Sequence, residues 1–423
     1  MRLHRDLSRI ASRKTELDET VAESVRTILW DVKAGGDRAV RGYCEKFDGF
    51  IGENLTVTPK EIKAAVDGVG HGFMRILQRA CAQITEYHTH QKTKSWGVYQ
   101  EDGVMLGQIA RPLTRVALYV PGGTAAYPST VLMNAIPASL AGVKGVVIFT
   151  PVKADGRVAD VILAAAACCG IDEIYKIGGA HGVAAAAYGT ETIAKADKIV
   201  GPGNIFVATA KRLVYGEVDI DMIAGPSEVL IIADETANPQ YVAADLISQA
   251  EHDKLSSSIL VTTSEQLISE TEKELDRQLE FLHRKDIIQS SLENFGGAIW
   301  VETLEKAFEI ANQIAPEHLE ILTEAPFEKL PLVHNAGSIF LGEYTPEPLG
   351  DYMGGTNHVL PTGGTAKFFS PLGVYDFVKY SSYSYYPRDA LARFQDDLVL
   401  FAESEGLDAH ANAIKIRFKG KGS

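Results

Sequence analysis

Short apolar runs alternate with longer alanine-rich stretches through the middle of the chain. The short runs are rich in β-branched residues, as strands are, and they are RVALYVP, GVVIFT, EIYKIG and DKIVG. The stretches between them are helix-like, and they are STVLMNAIPASLAGV, VADVILAAAACCG and GVAAAAYGT. Continuously apolar strands that helices separate indicate a parallel sheet covered on both faces.

A second series of the same kind follows. Its apolar runs are EVLIIAD, SSILVTT, GAIWVE, HLEILT and AGSIFLG, and helix-like segments lie between most of them. This alternation predicts an α/β fold with two Rossmann-like parallel-sheet domains, which join near residues 218–228.

The ends of the chain differ from this pattern. The first hundred residues are mainly helical, and the last fifty end as a helix followed by a strand-like run, AIKIRF. The predicted parts are an N-terminal arm (1–16), a first Rossmann-like domain (17–118 plus 229–371), a second (119–228) and a C-terminal helical extension (372–423).

Composition and charge narrow the class of protein. The 423 residues are 46% hydrophobic and 23% charged, which is typical of a soluble globular protein. The net charge of −14 argues against nucleic acid and anionic membranes as partners, because their phosphates would repel the chain. We find no secretion signal and no apolar run long enough to span a bilayer. The four cysteines form no CxxC pair, so we expect reduced thiols and a cytoplasmic location.

The segment LISQAEHD offers a possible metal site. Gln249 and His252 are three residues apart near the end of a predicted helix, so they can converge on one point. Histidine is a good zinc ligand, whereas glutamine is an uncommon one. A solvated helix end explains the same pattern, and spacing alone does not decide between the two interpretations.

The segment IAPEHLEI offers a possible acid–base pair. Glu317 and His318 follow Pro316, which ends the preceding helix, so the pair lies just before a predicted strand. An imidazole can take a proton near neutral pH, and a carboxylate can orient it or activate water. A solvated turn is an equally good interpretation of the spacing.

Two polar segments near the C-terminal end carry further acids and imidazoles. GDYMGGTNHVLPTGGTA, residues 350–366, has too few apolar side chains for a core helix or strand, yet it contains Asp351 and His358. ESEGLDAHANA adds Glu405 and His410. Glycine-rich backbone can approach a ligand closely, although a flexible loop and a frayed tail would have similar sequences.

Two glycine-containing turns follow predicted strands. One places Gly201, Gly203 and Asn204 before a helix, where backbone N–H groups can hold a phosphate. It lacks the third glycine of the dinucleotide fingerprint, so it is a weak signal by itself. The other covers residues 119–129, and Ser227 lies at the predicted domain junction, a usual place for a substrate cleft.

These segments, in this order, resemble the histidinol dehydrogenase family. The resemblance covers the chain from about residue 20 to its end. Its blocks are LYVPGGTAAYPSTVLMNAIPA, GPGN, DMIAGPSEVLIIAD, SQAEHD, APEHLE, GDYMGGTNHVLPT and EGLDAHANA.

The resemblance implies a zinc- and NAD-dependent enzyme that forms an intertwined homodimer through its C-terminal extension. Its first domain would hold the metal and the substrate, and its second would hold NAD. The implied zinc ligands are Gln249, His252, Asp351 and, from the partner subunit, His410. Glu317 and His318 match the catalytic pair. The implied substrate contacts are the zinc ligands with His318, Ser227, His358 and Glu405. Tyr119 and Asn204 match positions that contact NAD.

One position departs from the family pattern. The family's GGAQ turn usually offers glutamine to the cofactor, and here His181 stands in its place. We expect His181 to contact NAD and hypothesise that its titration makes cofactor binding depend on pH.

The implied reaction is the oxidation of L-histidinol to L-histidine through bound L-histidinaldehyde, the last steps of histidine biosynthesis. A related enzyme with the same fold that oxidises another small polar alcohol, such as a sulfonated diol, is the alternative. A non-catalytic binding protein is a third interpretation, which the intact metal and acid–base sets disfavour.

Overall fold

The computed structural model describes residues 18–52, 54–122, 126–223 and 225–419. The predicted N-terminal arm, residues 1–16, lies outside them. The α-helices are α1 (Glu19–Asp48), α2 (Pro59–Gly68), α3 (Gly70–Thr89), α4 (Pro128–Ala141), α5 (Asp160–Cys168), α6 (Gly179–Tyr188), α7 (Ile205–Val214), α8 (Pro239–Ala250), α9 (Glu265–Leu279), α10 (Lys285–Phe295), α11 (Leu304–Ile314), α12 (Pro326–Lys329), α13 (Glu347–Tyr352), α14 (Arg388–Ala392), α15 (Gln395–Ser404) and α16 (Asp408–Phe418). No helix within the described ranges has both the length and the apolar character that a membrane crossing requires.

The strands are β1 (Trp96–Tyr99), β2 (Met105–Pro112), β3 (Arg115–Tyr119), β4 (Gly145–Phe149), β5 (Ile174–Tyr175), β6 (Lys198–Val200), β7 (Asp219–Ile220), β8 (Glu228–Ala233), β9 (Ser257–Thr262), β10 (Gly296–Trp300), β11 (His318–Leu322), β12 (Ser338–Leu341) and β13 (Val378–Tyr385).

Two five-stranded parallel sheets form the centre of the molecule, as the sequence predicts. The first has the order β5-β4-β3-β6-β7, and the second has the order β10-β9-β8-β11-β12. In each, the chain enters at the central strand, moves out to one edge and then crosses to the other side. Strands β8 and β9 are buried along their whole length, which explains why their sequences after Glu228 consist of apolar or small residues.

The N-terminal helices pack on the first sheet. Ile28 and Val40 of α1 and Ile84 of α3 belong to the same buried cluster as Val116 and Leu118 of β3. The predicted grouping instead joins residues 17–118 to residues 229–371. The sequence shows that these helices are amphipathic but not which sheet their apolar faces meet. The predicted domain boundaries stay a prediction. The N-terminal helices, however, pack on the first sheet and not on the one with which the prediction groups them.

The chain divides into two compact units. One contains both parallel sheets, and the other consists of Thr93–Pro112 and the chain from Val378 onward. In the second unit β1, β2 and β13 form an antiparallel sheet, which the sequence patterns did not indicate. The run AIKIRF, predicted as strand-like, lies in helix α16, so that prediction is wrong. Its apolar and polar residues alternate over five positions only, and they also fit a helix that packs against α15.

Candidate active site

A cavity of about 640 Å³ is lined by loops of both parallel sheets. The first sheet contributes the turns after β3 and β6, and the second contributes the residues that lead into β8, β9 and β11. Connections at one end of parallel strands meet at one edge of the sheet, so side chains distant in sequence converge there. The predicted site residues that line this cavity are Asn204, Ser227, His252, Glu317, His318, Asp351 and His358.

One wall of the cavity carries a cluster that could hold a metal ion. Ligand atoms of His252, Glu347 and Asp351 all lie within 4.8 Å of one another. His252 follows the end of α8, while Glu347 and Asp351 are one turn apart on α13. Two carboxylates and an imidazole are a suitable donor set for zinc.

Gln249 supports the same assignment. It lies in the last turn of α8, its side chain is 1% exposed, and neither its amide oxygen nor its amide nitrogen has a hydrogen-bond partner in the described part of the chain. A buried amide without partners is costly unless a ligand satisfies it. Gln249 and the cluster therefore fit the zinc site that the sequence predicts.

Glu347 was not among the predicted residues. Because α13 begins before the glycine-rich stretch, Asp351 lies on a helix rather than in a loop. The signal that could have found Glu347 is the spacing of Glu347 and Asp351 in EPLGD, since acids four apart share one helix face.

The stretch after α13 is irregular but anchored. His358 Nδ1 lies 3.6 Å from Asp351 Oδ1. Asn357 is 3% exposed, and its side-chain amide donates to the carbonyl oxygen of Met133 at 2.8 Å. Gly355 has φ 89°, and a Cβ there would lie 2.9 Å from the carbonyl oxygen of Gln83 in α3. Glycine thus lets this segment pass close to the helix.

His318 is held in one tautomer by the backbone. Its Nδ1 lies 2.9 Å from the carbonyl oxygen of Glu228, which can only accept, so Nδ1 carries the hydrogen. Its Nε2 therefore has a free lone pair, finds no hydrogen-bond partner among the described residues, and lies 3.9 Å from Glu347 Oε1. Burial lowers the pKa of His318 to about 4, so the ring is neutral and able to accept a proton at neutral pH.

Glu317 is held by the same backbone position. Its carboxylate accepts a hydrogen bond from the N–H of Glu228 at 2.9 Å, and Oε2 lies 3.7 Å from Nδ1 of His318. Burial raises the pKa of Glu317 well above its ordinary value. Burial therefore favours the protonated carboxyl, whereas a nearby positive charge would favour its ionised form.

A second cavity, of about 830 Å³, contains the three predicted cofactor residues. Tyr119 ends β3 and accepts a hydrogen bond from the N–H of Gly179 at 3.0 Å. Asn204 caps α7, where its side-chain oxygen accepts from the N–H groups of Phe206 and Val207. His181 lies in α6 at the cavity wall. The two cavities have Pro121, Tyr127 and Asn204 in common, so they are adjacent.

The buried state of His181 bears on the hypothesis of pH-dependent cofactor binding. The side chain is 1% exposed, and burial lowers its pKa to about 4. A ring that is neutral throughout the range from about pH 6 to 9 gives no titration there. The structure therefore gives no support to that hypothesis.

Two predicted residues lie in the second compact unit. Glu405 follows α15, and His410 lies in α16; both are exposed. Their predicted roles in substrate and zinc binding stay predictions.

Comparison with known proteins agrees with this geometry. The family model for histidinol dehydrogenase matches residues 11–418. The chain is 62% identical over 408 residues to histidinol dehydrogenase of Lactococcus lactis subsp. lactis, covering 96% of this chain and 95% of that protein. It is 55% identical over 410 residues to the enzyme of Clostridium acetobutylicum, covering 97% and 95%. The crystal structure of histidinol dehydrogenase from Elizabethkingia anophelis superposes with a TM-score of 0.93 at 38% identity, covering 98% of this chain and 95% of that one. The chain therefore belongs to the histidinol dehydrogenase family of NAD-dependent, zinc-binding oxidoreductases.

Proposed function

We propose that this chain oxidises L-histidinol to L-histidine through bound L-histidinaldehyde in the cavity of about 640 Å³. Each of two successive oxidations removes two electrons, and bound NAD⁺ supplies the hydride acceptor for each. Water adds to the aldehyde between them, which balances the four-electron oxidation of an alcohol to a carboxylate. The observation that carries the proposal is the free Nε2 of His318 beside the His252, Glu347 and Asp351 cluster.

We assign the zinc ligands by combining the cluster with the family resemblance. Gln249, His252 and Asp351 would bind the ion from this chain, and His410 of the partner subunit would complete the set. Glu347 would add a carboxylate on the same side. Zinc at this position supplies positive charge that orients the polar end of the substrate and acts as a Lewis acid.

His318 is the proposed general base in both oxidations. Its Nε2 would take the proton of the substrate hydroxyl, and later that of the hydrated aldehyde. The hydrogen bond from Nδ1 to the Glu228 carbonyl holds the ring in the required tautomer throughout.

Glu317 is the proposed base for the water that hydrates the aldehyde. Burial raises the pKa of Glu317 and so favours the protonated carboxyl. A divalent cation in the same cavity favours the ionised form, so we expect Glu317 to act as a base only in metal-loaded protein.

The remaining assignments follow the resemblance. Ser227 and His358 line the same cavity and would contact the substrate, together with Glu405 of the C-terminal extension. Tyr119, Asn204 and His181 would contact NAD. We further propose a homodimer with shared active sites that works in the cytoplasm.

The test is the amount of NADH formed per L-histidinol consumed by zinc-loaded protein with excess NAD⁺. We expect about two NADH per substrate, with L-histidine as the product. About one NADH with accumulated aldehyde would contradict the second oxidation. The alternative substrate, another small polar alcohol, is not favoured by the 62% identity to a histidinol dehydrogenase. No turnover of histidinol by protein with bound zinc would overturn the proposal in favour of that alternative.

A further inference from the structure

A second group of potential metal ligands lies outside the active-site cavity. Cys44, Asp48 and His181 have ligand atoms that all lie within 4.8 Å of one another. Cys44 and Asp48 are one turn apart on α1, so their side chains point to the same side. His181 approaches them from the first turns of α6, which packs against α1.

Three polar atoms of this group lack hydrogen-bond partners in the described part of the chain. Both ring nitrogens of His181 are buried without a hydrogen bond, and so is Oδ2 of Asp48. His181 Nε2 lies 3.9 Å from Asp48 Oδ2, too far for a hydrogen bond. A buried imidazole with neither nitrogen satisfied indicates that something absent from the chain itself can bind there.

We propose that Cys44, Asp48 and His181 form a second site for a thiophilic divalent cation such as zinc. A thiolate, an imidazole and a carboxylate are all ordinary zinc ligands, at about 2.3, 2.0 and 2.0–2.2 Å from the ion. Such bonds in tetrahedral geometry place the donors about 3.3–3.7 Å apart. His181 Nε2 and Asp48 Oδ2, now 3.9 Å apart, would move closer together to reach that spacing.

The surroundings leave a fourth position open. Asp48 and His181 line the cavity of about 830 Å³, whereas Cys44 is fully buried behind them. A cation can therefore enter from the cavity and keep a water molecule there, as three-ligand zinc sites do. On binding, the thiol proton of Cys44 is released to solvent, and the bond from sulfur to metal forms in its place. Burial raises the pKa of Cys44 to about 12, so the affinity should increase with pH.

Occupation of this site has a consequence that rests on the proposed function. If the same cavity binds NAD, a cation bound by His181 and Asp48 occupies the cavity wall and removes a cofactor contact. The second cation should then compete with NAD. This would make the cluster an inhibitory site that responds to excess metal.

Cobalt distinguishes the two sites because only the second one contains sulfur. The proposed active-site ligands are nitrogen and oxygen donors, whereas Co²⁺ bound to Cys44 gives a sulfur-to-metal charge-transfer band. We expect metal-free full-length protein to bind about two Co²⁺ per chain and to show this band. Cys44→Ser and His181→Gln should each lose the charge-transfer band and one bound Co²⁺ per chain. The control is Cys81→Ser, which changes a free thiol that contacts the Cys168 thiol elsewhere, and it should keep the band and both ions.

The outcomes separate the two proposals. One Co²⁺ per chain without the band in folded wild-type protein overturns the second site, as does a band that survives in His181→Gln. If Cys44→Ser fails to fold, His181→Gln still decides. NAD should weaken binding of the second ion at least tenfold. If NAD leaves binding of the second ion unchanged, the proposed competition between NAD and that ion is wrong. If NAD binds no form of the protein, the cofactor assignment is contradicted instead.

Discussion

At the scale of single residues, the backbone of Glu228 fixes the state of both proposed catalytic side chains. Its carbonyl oxygen accepts from His318 and its N–H donates to Glu317, so the backbone of one residue sets a tautomer and orients a carboxyl. Glu228 is distant in sequence from both residues. The adjacent acid and imidazole could be predicted from the sequence, but the tautomer could not, because parallel pairing of β8 with β11 creates the contact.

The first prediction tests the general base. His318→Ala should lower kcat about 10²–10⁴-fold, the usual contribution of a general base, because no other neutral imidazole occupies the same position. Zinc content and melting temperature should remain close to those of wild type, as metal analysis and circular dichroism can show. His334→Ala, an exposed histidine, is the matched control and should retain full activity. Near-normal kcat in His318→Ala would remove the assignment.

The second prediction tests Glu347 as a further carboxylate of the zinc site. Its Oε2 accepts from Ser248 Oγ at 3.3 Å, and burial raises its pKa to about 9. Zinc must therefore displace the proton of the Glu347 carboxyl, and the negative charge of the resulting carboxylate strengthens zinc binding. Glu347→Gln, which keeps the size, should weaken zinc binding about 10–100-fold in a chelator competition.

A matched control is available on the same segment. Glu343→Gln changes an exposed acid and should leave the zinc affinity at its wild-type value. Equal zinc affinities in wild type and Glu347→Gln would show that Glu347 is not part of the metal site.

At the scale of elements, the sequence predicts what depends on a local pattern. Both parallel sheets follow from apolar strands between helices. The run AIKIRF was wrongly predicted to be strand-like because five alternating positions fit either a strand or a helix. Glu347 was not predicted because the glycines after it are typical of a loop. Pro346, directly before α13, is the signal for the start of a helix there.

The third prediction concerns the anchor of the segment after α13. Nδ1 of His88, in α3, lies 2.7 Å from Gln91 Oε1, to which it donates. Nε2 of the same ring accepts from the side-chain amide of Asn357 at 3.3 Å. Only the neutral ring can do both. Burial lowers the pKa of His88, so its stabilising contribution is present above about pH 6.5 and is lost as the pH falls further.

His88→Gln should therefore melt at a lower temperature than wild type at about pH 7.5, and the difference should shrink by about pH 5. His90→Gln, on the same stretch of chain but exposed, should behave as wild type at both values. A difference in melting temperature that is constant with pH would show that the charge state of His88 does not matter.

The fourth prediction concerns the turn after β6. Lys211 of α7 forms a buried ion pair with Asp221 and donates to the carbonyl oxygen of Gly201 at 2.8 Å. Asp221 accepts from the N–H of Gly201 at 2.7 Å, so the pair holds both sides of the turn next to Asn204. Lys211→Met leaves the aspartate buried without its partner, which costs about 3–5 kcal/mol.

Thermal unfolding should show this as a lower melting temperature, together with weaker NAD binding because the turn loosens. Lys195→Met breaks the exposed ion pair with Glu217 and should leave the melting temperature almost unchanged, because solvent-exposed ion pairs contribute little to stability. Similar losses in the two variants would contradict the role of the buried pair.

At the scale of the whole molecule, the active-site cavity depends on two sheets of the same topology. The carboxyl ends of β3 and β6 contribute turns, and the amino ends of β8 and β11 contribute the base and its partner. The turns that would hold NAD, the proposed hydride acceptor, thus belong to the first sheet, and the proposed base belongs to the second. Each β/α series could be predicted from its own pattern. That the two sheets line one cavity could not be predicted, because contacts between residues far apart in sequence determine it.

The last prediction tests whether active sites are shared between subunits, as the resemblance implies for His410. His410→Ala and His318→Ala homodimers should both be inactive. In a heterodimer of the two variants, isolated with two different affinity tags, one site would carry both substitutions and the other neither. Such a heterodimer should therefore regain about half of the wild-type activity.

The competing arrangements give different results. If His410 served the site of its own subunit, each site of the heterodimer would carry one substitution, and no activity would return. If His410 were not a ligand, the His410→Ala homodimer would be active and would retain its zinc. Recovery of activity thus requires both that His410 is needed and that it crosses to the partner, so one measurement tests the ligand and the dimer together.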